Sequence, residues 1–289
     1  MTPEPDTAAT GQGAPVRLLV AYNSAEALAE HARLSPPGPT LIVDNASRDE
    51  TSAVSRGLGF DVLRLDRNVG FGMGIMAGLH HLDAELVLVM NPDVTLRADT
   101  EAALIAAARA WPDCDLFVPR LIGGDGHVFF RHESRFEARS KDRRPPWGDC
   151  AVPSISGAAM LIRRQAFIDF GGFDPEIFLF FEDDDIAIRY WRARRPAIYV
   201  HAAVAEHAEG SSSGADMQAH RIKDESFGWS QAYLGAKHFG ESGWGDLVKM
   251  LLKLSVYTVS GRRQRRLRQW GRIKGAWACL RGRRAPFRP

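Results

Sequence analysis

Cysteine is scarce in this 289-residue chain: Cys114, Cys150 and Cys279 are widely spaced and odd in number. Such a set excludes a disulfide framework and a cysteine metal knuckle, and it favours a reducing compartment. Long hydrophobic runs are absent as well. No stretch approaches the roughly 18–20 apolar residues that a spanning helix needs. The opening segment MTPEPDTAATGQGAP lacks both a basic n-region and an apolar h-region. It does not read as a secretory signal, and residues 1–15 are expected to form a disordered leader. No internal repeat is evident, which argues against a repeat architecture.

Acidic residues are missing from the final 43 positions, which hold 13 Lys and Arg. All 35 Asp and Glu lie at or before Asp246, where they face 24 basic residues. An overall charge of +2 therefore conceals an acidic body and a basic tail. The length suits one large domain with an appendage, and the 45% hydrophobic content is ordinary for a globular protein. These features together predict a cytoplasmic protein, with attachment to the inner face of the cytoplasmic membrane left open.

Short apolar runs alternate with helical patterns through the first half. Residues 16–22 (VRLLVAY), 40–44 (TLIVD), 61–65 and 86–91 (LVLVMN) read as buried strands of a parallel sheet. Helices are expected at 25–34, 49–58, 71–82 and 98–110. Strand and helix in alternation predict an α/β layered domain. The polar pairs Tyr22-Asn23 and Asp44-Asn45, and the triplet Asn91-Pro92-Asp93, each close a strand. Ligands of open α/β sheets bind outside the carboxyl ends of strands, so three polar ends on one rim point to a crevice. Each alone is also what a turn or a helix cap requires.

The long charged stretch at 123–150 reads as a lid or binding loop. Beyond it come a small-residue strand at 156–162, a helix at 164–170 and a glycine stop. Helix dominates from about Met217.

Asp93 emerges where its strand ends. A single carboxylate there can bind Mg²⁺ or Mn²⁺ while substrate phosphates fill other positions. His207 is a candidate second ligand, imidazole suiting Mn²⁺-type ions better than Mg²⁺, although a loop histidine needs no such role. The pattern Asn68-Val-Gly-Phe-Gly-Met-Gly74 follows a strand and opens a helix, where glycines permit close backbone approach and the helix terminus favours anions. The run Phe178-Leu-Phe-Phe-Glu-Asp-Asp-Asp-Ile186 sets four carboxylates in an apolar segment. They can cap a helix continuing to Arg195, hold a cation or take a proton.

Several segments carry a family resemblance. They are VAYNS (20–24), VDNASRDET (43–51), NVGFGMGIMAG (68–78), LVMNPDV (88–94), residues 155–189 and HAEGSS (207–212). In order and spacing the chain resembles the family 2 glycosyltransferases, above all their bacterial rhamnosyltransferase-like branch, over roughly residues 16–240. The resemblance implies a GT-A fold: a Rossmann-like, mixed, mostly parallel α/β sheet flanked by helices. It also implies inverting transfer from a nucleotide-sugar donor with Mg²⁺ or Mn²⁺. Tyr22, Asn23, Asp44, Asn45, Asn68, Gly70, Gly72 and Asn91 match nucleotide-sugar-binding positions. Asp93 matches the metal-binding acid of the DxD-type motif, with Asn91 replacing its first Asp, and His207 matches the histidine that completes the metal shell. Gly72 and Met76 depart from the residues common at those positions. Asp183 matches the catalytic base, and Glu182 and Asp185 its supporting or acceptor-binding neighbours. Asp184 falls on the variable position.

Residues 241–289 form a basic amphipathic helical extension. Trp, Leu and Val lie among its lysines and arginines, a composition suited to an anionic membrane surface. A solvated helix, an oligomer contact or nonspecific nucleic-acid binding are the other readings, and no specific nucleic-acid partner is expected. The expected function is transfer of a sugar, rhamnose from dTDP-rhamnose above all, to a glycan or lipid-linked acceptor of a cell-surface polysaccharide. Other UDP-, GDP- or dTDP-sugar donors, nucleotidyl transfer and a non-catalytic nucleotide-sugar binder are the alternatives.

Overall fold

The computed structural model of the protein describes residues 14–130, 145–208 and 217–287. The first strands and helices alternate as β1 (Val16–Ala21), α1 (Ala25–Leu34), β2 (Thr40–Asp44), α2 (Thr51–Gly57), β3 (Asp61–Arg64), α3 (Phe71–His81) and β4 (Leu86–Met90). The middle of the chain adds β5 (Val94–Leu96), α4 (Thr100–Ala110), β6 (Leu116–Gly123), β7 (Val128–Phe129), β8 (Cys150–Val152), β9 (Ala159–Arg163) and α5 (Arg164–Asp169). Helix α6 (Glu182–Arg192), β10 (Ala197–His207) and three further helices complete it: α7 (Met217–Phe239), α8 (Trp244–Val259) and α9 (Arg263–Leu280).

One sheet runs through the molecule in the order β3-β2-β1-β4-β9-β6-β10-β5, with β7 on β6 and β8 on β10. Strands β3, β2, β1 and β4 form a parallel block. Beyond it β9 is antiparallel to β4 and β6, while β10 runs parallel to β6 and antiparallel to β5 and β8. The sheet is thus the mixed α/β sheet expected, with its parallel part where the strand-helix alternation is clearest.

Layers on both faces of the sheet explain why β1 is buried along its whole length, with even-numbered residues facing one layer and odd-numbered residues the other. Leu18 and Val20 face Ile75, Met76 and Leu79 of α3 and the aromatic residues Phe167 and Tyr190. Leu19 and Ala21 face the other layer, with Leu28 of α1 and Leu104 and Ala107 of α4. Each fully buried Leu or Ile stabilises the fold by about 1.5–3 kcal/mol, so both layers are needed to hold the central strands. The glycines of the 68–78 segment serve this packing. A Cβ on Gly74 would lie 2.8 Å from Val20, and one on Gly78 would collide with Leu18, so α3 sits closer to the sheet than side chains would allow. Gly70, at φ 89°, starts the helix in a left-handed conformation, and a Cβ there would strike the Phe178 carbonyl.

The C-terminal helices do not stand apart. A second core of Ala232, Leu247, Met250, Ile273 and Ala276 joins α7, α8 and α9. Gly228 of α7 meets the Arg272 backbone, and Gly275 of α9 meets the Glu225 backbone, so these two helices touch main chain to main chain. Of the candidate lid at 123–150, residues 124–130 and 145–150 give β7 and the approach to β8, while 131–144 lie outside the described residues. The leader expected at 1–15 lies outside them as far as residue 13.

Candidate active site

A cavity of about 450 Å³ opens at the carboxyl ends of β1 and β4, within the size range of small-molecule sites. Its sheet-side wall holds Tyr22, Asn45, Asn91 and Asp93, and the α3 entrance contributes Asn68 and Gly70. Glu182, Asp183 and Asp184 of α6 face them, and His207 closes one corner. Nine of the residues expected from sequence therefore line one space. Asn23, Asp44, Gly72 and Asp185 are not among the lining residues.

Those four have other surroundings. Asp44 is fully buried and accepts hydrogen bonds from the Ser47 amide (2.8 Å), Ser52 and the Arg64 guanidinium (2.7 Å). Burial works to raise its carboxyl. The hydrogen bonds and Arg64 outweigh that, leaving it below the usual carboxylate range. Asn23 sits at φ 53° and joins two loops, taking the Arg48 amide at 2.8 Å while its own amide donates to Ser47. Gly72 is packed under the Phe173 ring. Asp185 is sunk between helices, accepting from Arg189 (2.8 Å), Lys237 (2.6 Å) and His238 (2.6 Å).

Asn45 acts at the join between β2 and α3. Its carboxamide accepts from the Val69 amide and donates to the Gly70 carbonyl, at 2.9 and 3.0 Å. Asn68 accepts from the Gly70 amide at 2.9 Å. These bonds fix the loop that forms the cavity floor.

Strand pairing brings Asp93 and His207 together. The β5–β10 ladder sets His207 opposite Val94, and the Ala208 amide donates to the Asp93 carbonyl at 3.1 Å. The Asp93 carboxylate is buried, and His207 Nε2 stands 3.4 Å from its Oδ1. Among the described residues no cluster of three His, Cys, Asp or Glu side chains is grouped as a metal site. One hard oxygen donor and one imidazole fit a Mn²⁺-type ion whose remaining positions come from diphosphate oxygens and water.

The opposite wall is strained. Phe180 and Phe181 have φ of 66° and 67°, uncommon for bulky residues, and both pack on Phe227 of α7. The turn they make starts α6 at Glu182, so all four acids fall in its first turn. Asp183 Oδ2 accepts from the Gly157 amide at 3.1 Å, and its Oδ1 from the Asp184 amide at 2.9 Å. Two backbone donors orient this carboxylate while it remains part of the cavity wall. Glu182 Oε2 is buried without a hydrogen-bond partner among the described residues. Burial first, then the charges of Asp183 and Asp184, push the Glu182 carboxyl up to about 8. It therefore keeps its proton near neutrality.

The sequence reading missed the contribution of α7. Ile222, Lys223 and Phe227 line the cavity beside Phe178 and Leu179. Lys223 brings a positive charge to the cavity wall, and no periodic signal in α7 would have singled it out. Ser156 and Gly157 also line it, from a segment read only as the start of a strand.

The family model for Glycosyl transferase family 2 matches residues 39–171. A curated relative, the N-acetylglucosaminyl-diphospho-decaprenol L-rhamnosyltransferase of Mycobacterium tuberculosis, is 28% identical, covering 72% of this chain and 77% of the relative. Among solved structures, the mannosyltransferase PcManGT from Pyrobaculum calidifontis, in complex with GDP-Man and Mn²⁺, has a TM-score of 0.54 at 14% identity. It covers 94% of this chain and 88% of that one. GalNAc-T7 with UDP, GalNAc and Mn²⁺ has a TM-score of 0.53 at 13% identity, covering 77% of this chain but 51% of its own. The two structures establish the likeness of fold.

Proposed function

Since the chain carries a family 2 glycosyltransferase domain on a GT-A fold, we propose that it is an inverting, metal-dependent rhamnosyltransferase. Its donor in this reading is dTDP-rhamnose, and its acceptor a sugar carried on a lipid diphosphate, in the making of a cell-surface polysaccharide. The observation that carries the proposal is the juxtaposition, around one cavity, of the Asp93–His207 pair with Asp183. The M. tuberculosis relative supports the sugar and the type of acceptor by its name. A lipid-borne acceptor would set the reaction at a membrane surface, in this reading the cytoplasmic one. By the same reading, residues 16–240 form the catalytic domain and 241–289 an extension to it.

The nucleotide is assigned to the strand-end side, where Tyr22 and Asn45 line the cavity and Asn23 and Asp44 hold the loops beneath. Asp93 and His207 would hold the cation, which offsets charge on the departing diphosphate. Lys223 offers a second positive charge on the facing wall. Asp183 takes the proton of the acceptor hydroxyl as that oxygen bonds to the anomeric carbon. The bond from this carbon to the diphosphate oxygen breaks on the opposite face, and the configuration inverts. Its backbone donors keep Asp183 aimed, and the protonated Glu182 beside it spares the site one negative charge.

The test is a donor screen with Mn²⁺ or Mg²⁺, followed by transfer from the preferred donor to a lipid-diphosphate-linked sugar. dTDP-rhamnose should give the largest thermal shift and support transfer. Asp93→Ala should abolish the metal-dependent part of nucleotide binding. Unchanged nucleotide affinity in that variant with Mn²⁺ present would remove Asp93 as a ligand, and a screen favouring a UDP- or GDP-sugar would replace the donor.

A further inference from the structure

We propose that the tip of the α8–α9 hairpin is a docking surface for an anionic lipid bilayer. The geometry begins with α8, which has two apolar faces. Leu247, Met250 and Leu254 turn inward to the core shared with α7 and α9. Val248, Leu252, Val256 and Val259 follow one another at the spacing of the opposite face, exposed by 53, 63, 63 and 90%. Leu267 and Trp270 of α9, the other arm of the hairpin, are exposed as well. Single exposed apolar side chains are ordinary, but a continuous stripe on a helix marks a surface that meets something.

The charge around the stripe is of one sign. Arg262, Arg263, Arg265, Arg266 and Arg268 are all exposed, as is Lys253, and no acidic residue follows Asp246 in the sequence. None of these side chains forms a salt bridge with a carboxylate among the described residues. A partner must therefore offer dense negative charge over an apolar interior. Nucleic acid supplies the first without the second. A second copy of this hairpin would set arginine against arginine. An anionic bilayer supplies both, and a helix with a basic polar face and Trp, Leu and Val beside it lies in that interface. Among the described residues no helix is long and apolar enough to cross a membrane, so the hairpin lies on the surface.

The tip is also on the appropriate end of the molecule. Asp224 meets Gly271, Gly228 meets Arg272, and the Arg272 guanidinium lies 4.1 Å from the Phe227 ring centroid. Farther along, Ala232 of α7 and Leu280 at the end of α9 both approach Gly243 before α8, so α7 and α9 run in the same direction. The turn at 260–262 consequently sits roughly 15 Å before Arg272 along the helix axis. That is the end of α7 that lines the cavity. Bilayer docking there brings the cavity near the plane in which a lipid-borne acceptor resides. This purpose rests on the transferase reading, whereas the docking does not.

The experiment is flotation of the full chain with vesicles of phosphatidylcholine alone or with 30–40% phosphatidylglycerol (about the anionic fraction that gives a strong surface potential) at low and high salt. The protein should float with the anionic vesicles and lose most of that binding in high salt. Arg262→Gln, Arg263→Gln, Arg265→Gln and Arg266→Gln together, and separately Leu252→Ser with Val256→Ser, should each reduce binding at least tenfold. Both variants should keep the thermal melt, nucleotide binding and transfer to a lipid-free acceptor. Equal binding to both vesicle types, no binding, or displacement of an oligomer contact by either variant would overturn the proposal. So would binding to RNA that vesicles do not compete away. Loss of transfer to the lipid-free acceptor in the unaltered protein would instead count against the transferase reading and leave the docking result standing.

Discussion

The first turn of α6 and the tip of the α8–α9 hairpin are both crowded with charge, and both lie at the cavity end of the molecule. Their environments are opposite. In α6 the acids are sorted: Asp183 receives two backbone amides, Asp185 is buried among Arg189, Lys237 and His238, and Glu182 is buried with its proton. In the hairpin the arginines stay in solvent beside exposed Val256, Val259 and Leu267. Burying a charge is costly unless distant elements bring it partners. Strand β9's approach and helix α7 bring those partners to α6, whereas among the described residues Arg262, Arg263, Arg265 and Arg266 at the hairpin tip form no salt bridge with a carboxylate. The first region finds its partners within the chain, and the second is the one proposed to find them outside it.

The largest expected effect breaks this comparison at Asp183. Asp183→Asn should lower the transfer rate by about 10²–10⁴-fold while leaving the melting temperature and nucleotide binding unchanged. Turnover near that of the unaltered protein would place the base elsewhere. Next is Asp185→Ala, which leaves Lys237 and His238 facing a buried hole. Breaking a buried pair costs about 3–5 kcal/mol, so the melting temperature should drop by roughly 10 °C. A variant that melts normally yet fails to transfer sugar would make Asp185 part of the chemistry rather than a tie between α6 and α7.

The smallest effect depends on pH. Folded protein holds the Glu182 proton up to about pH 8, whereas an unfolded chain releases it near the ordinary value of 4.5. Between those limits the folded state binds the extra proton, so this group's contribution to stability is full below pH 4.5 and is lost as pH rises to 8. Glu182→Gln should therefore melt a few degrees higher than the unaltered protein at pH 8.5, with the difference vanishing at pH 4.5. Parallel melting curves across that range would show that Glu182 is not held protonated.

Much of the fold was legible in the chain. The runs at 16–22, 40–44 and 86–91 become β1, β2 and β4 to within a residue or so, because strands buried on both faces leave a nearly unbroken apolar signature, and 61–65 becomes the partly exposed edge strand β3. The helix at 71–82 becomes α3 at Phe71–His81. Strand β10 went unread although its apolar run from Ala197 to Ala205 was available, and with it went the reason for His207's position. The four acids looked alike from sequence, since a helix start with acids satisfies the macrodipole whatever lies around it.

Sequence by itself determined the layered α/β domain, the polar strand ends, the family likeness and the division into an acidic body and basic tail. These depend on periodicity, composition and order, which are local properties of a chain. Tertiary structure decided that Asp93 meets His207 through the β5–β10 ladder, that Asp185 is a buried tie while Asp183 lines the cavity, and that α7 supplies Lys223. Each depends on what a distant segment brings within a few ångströms, because burial and partners, not residue type, set what a charge can do.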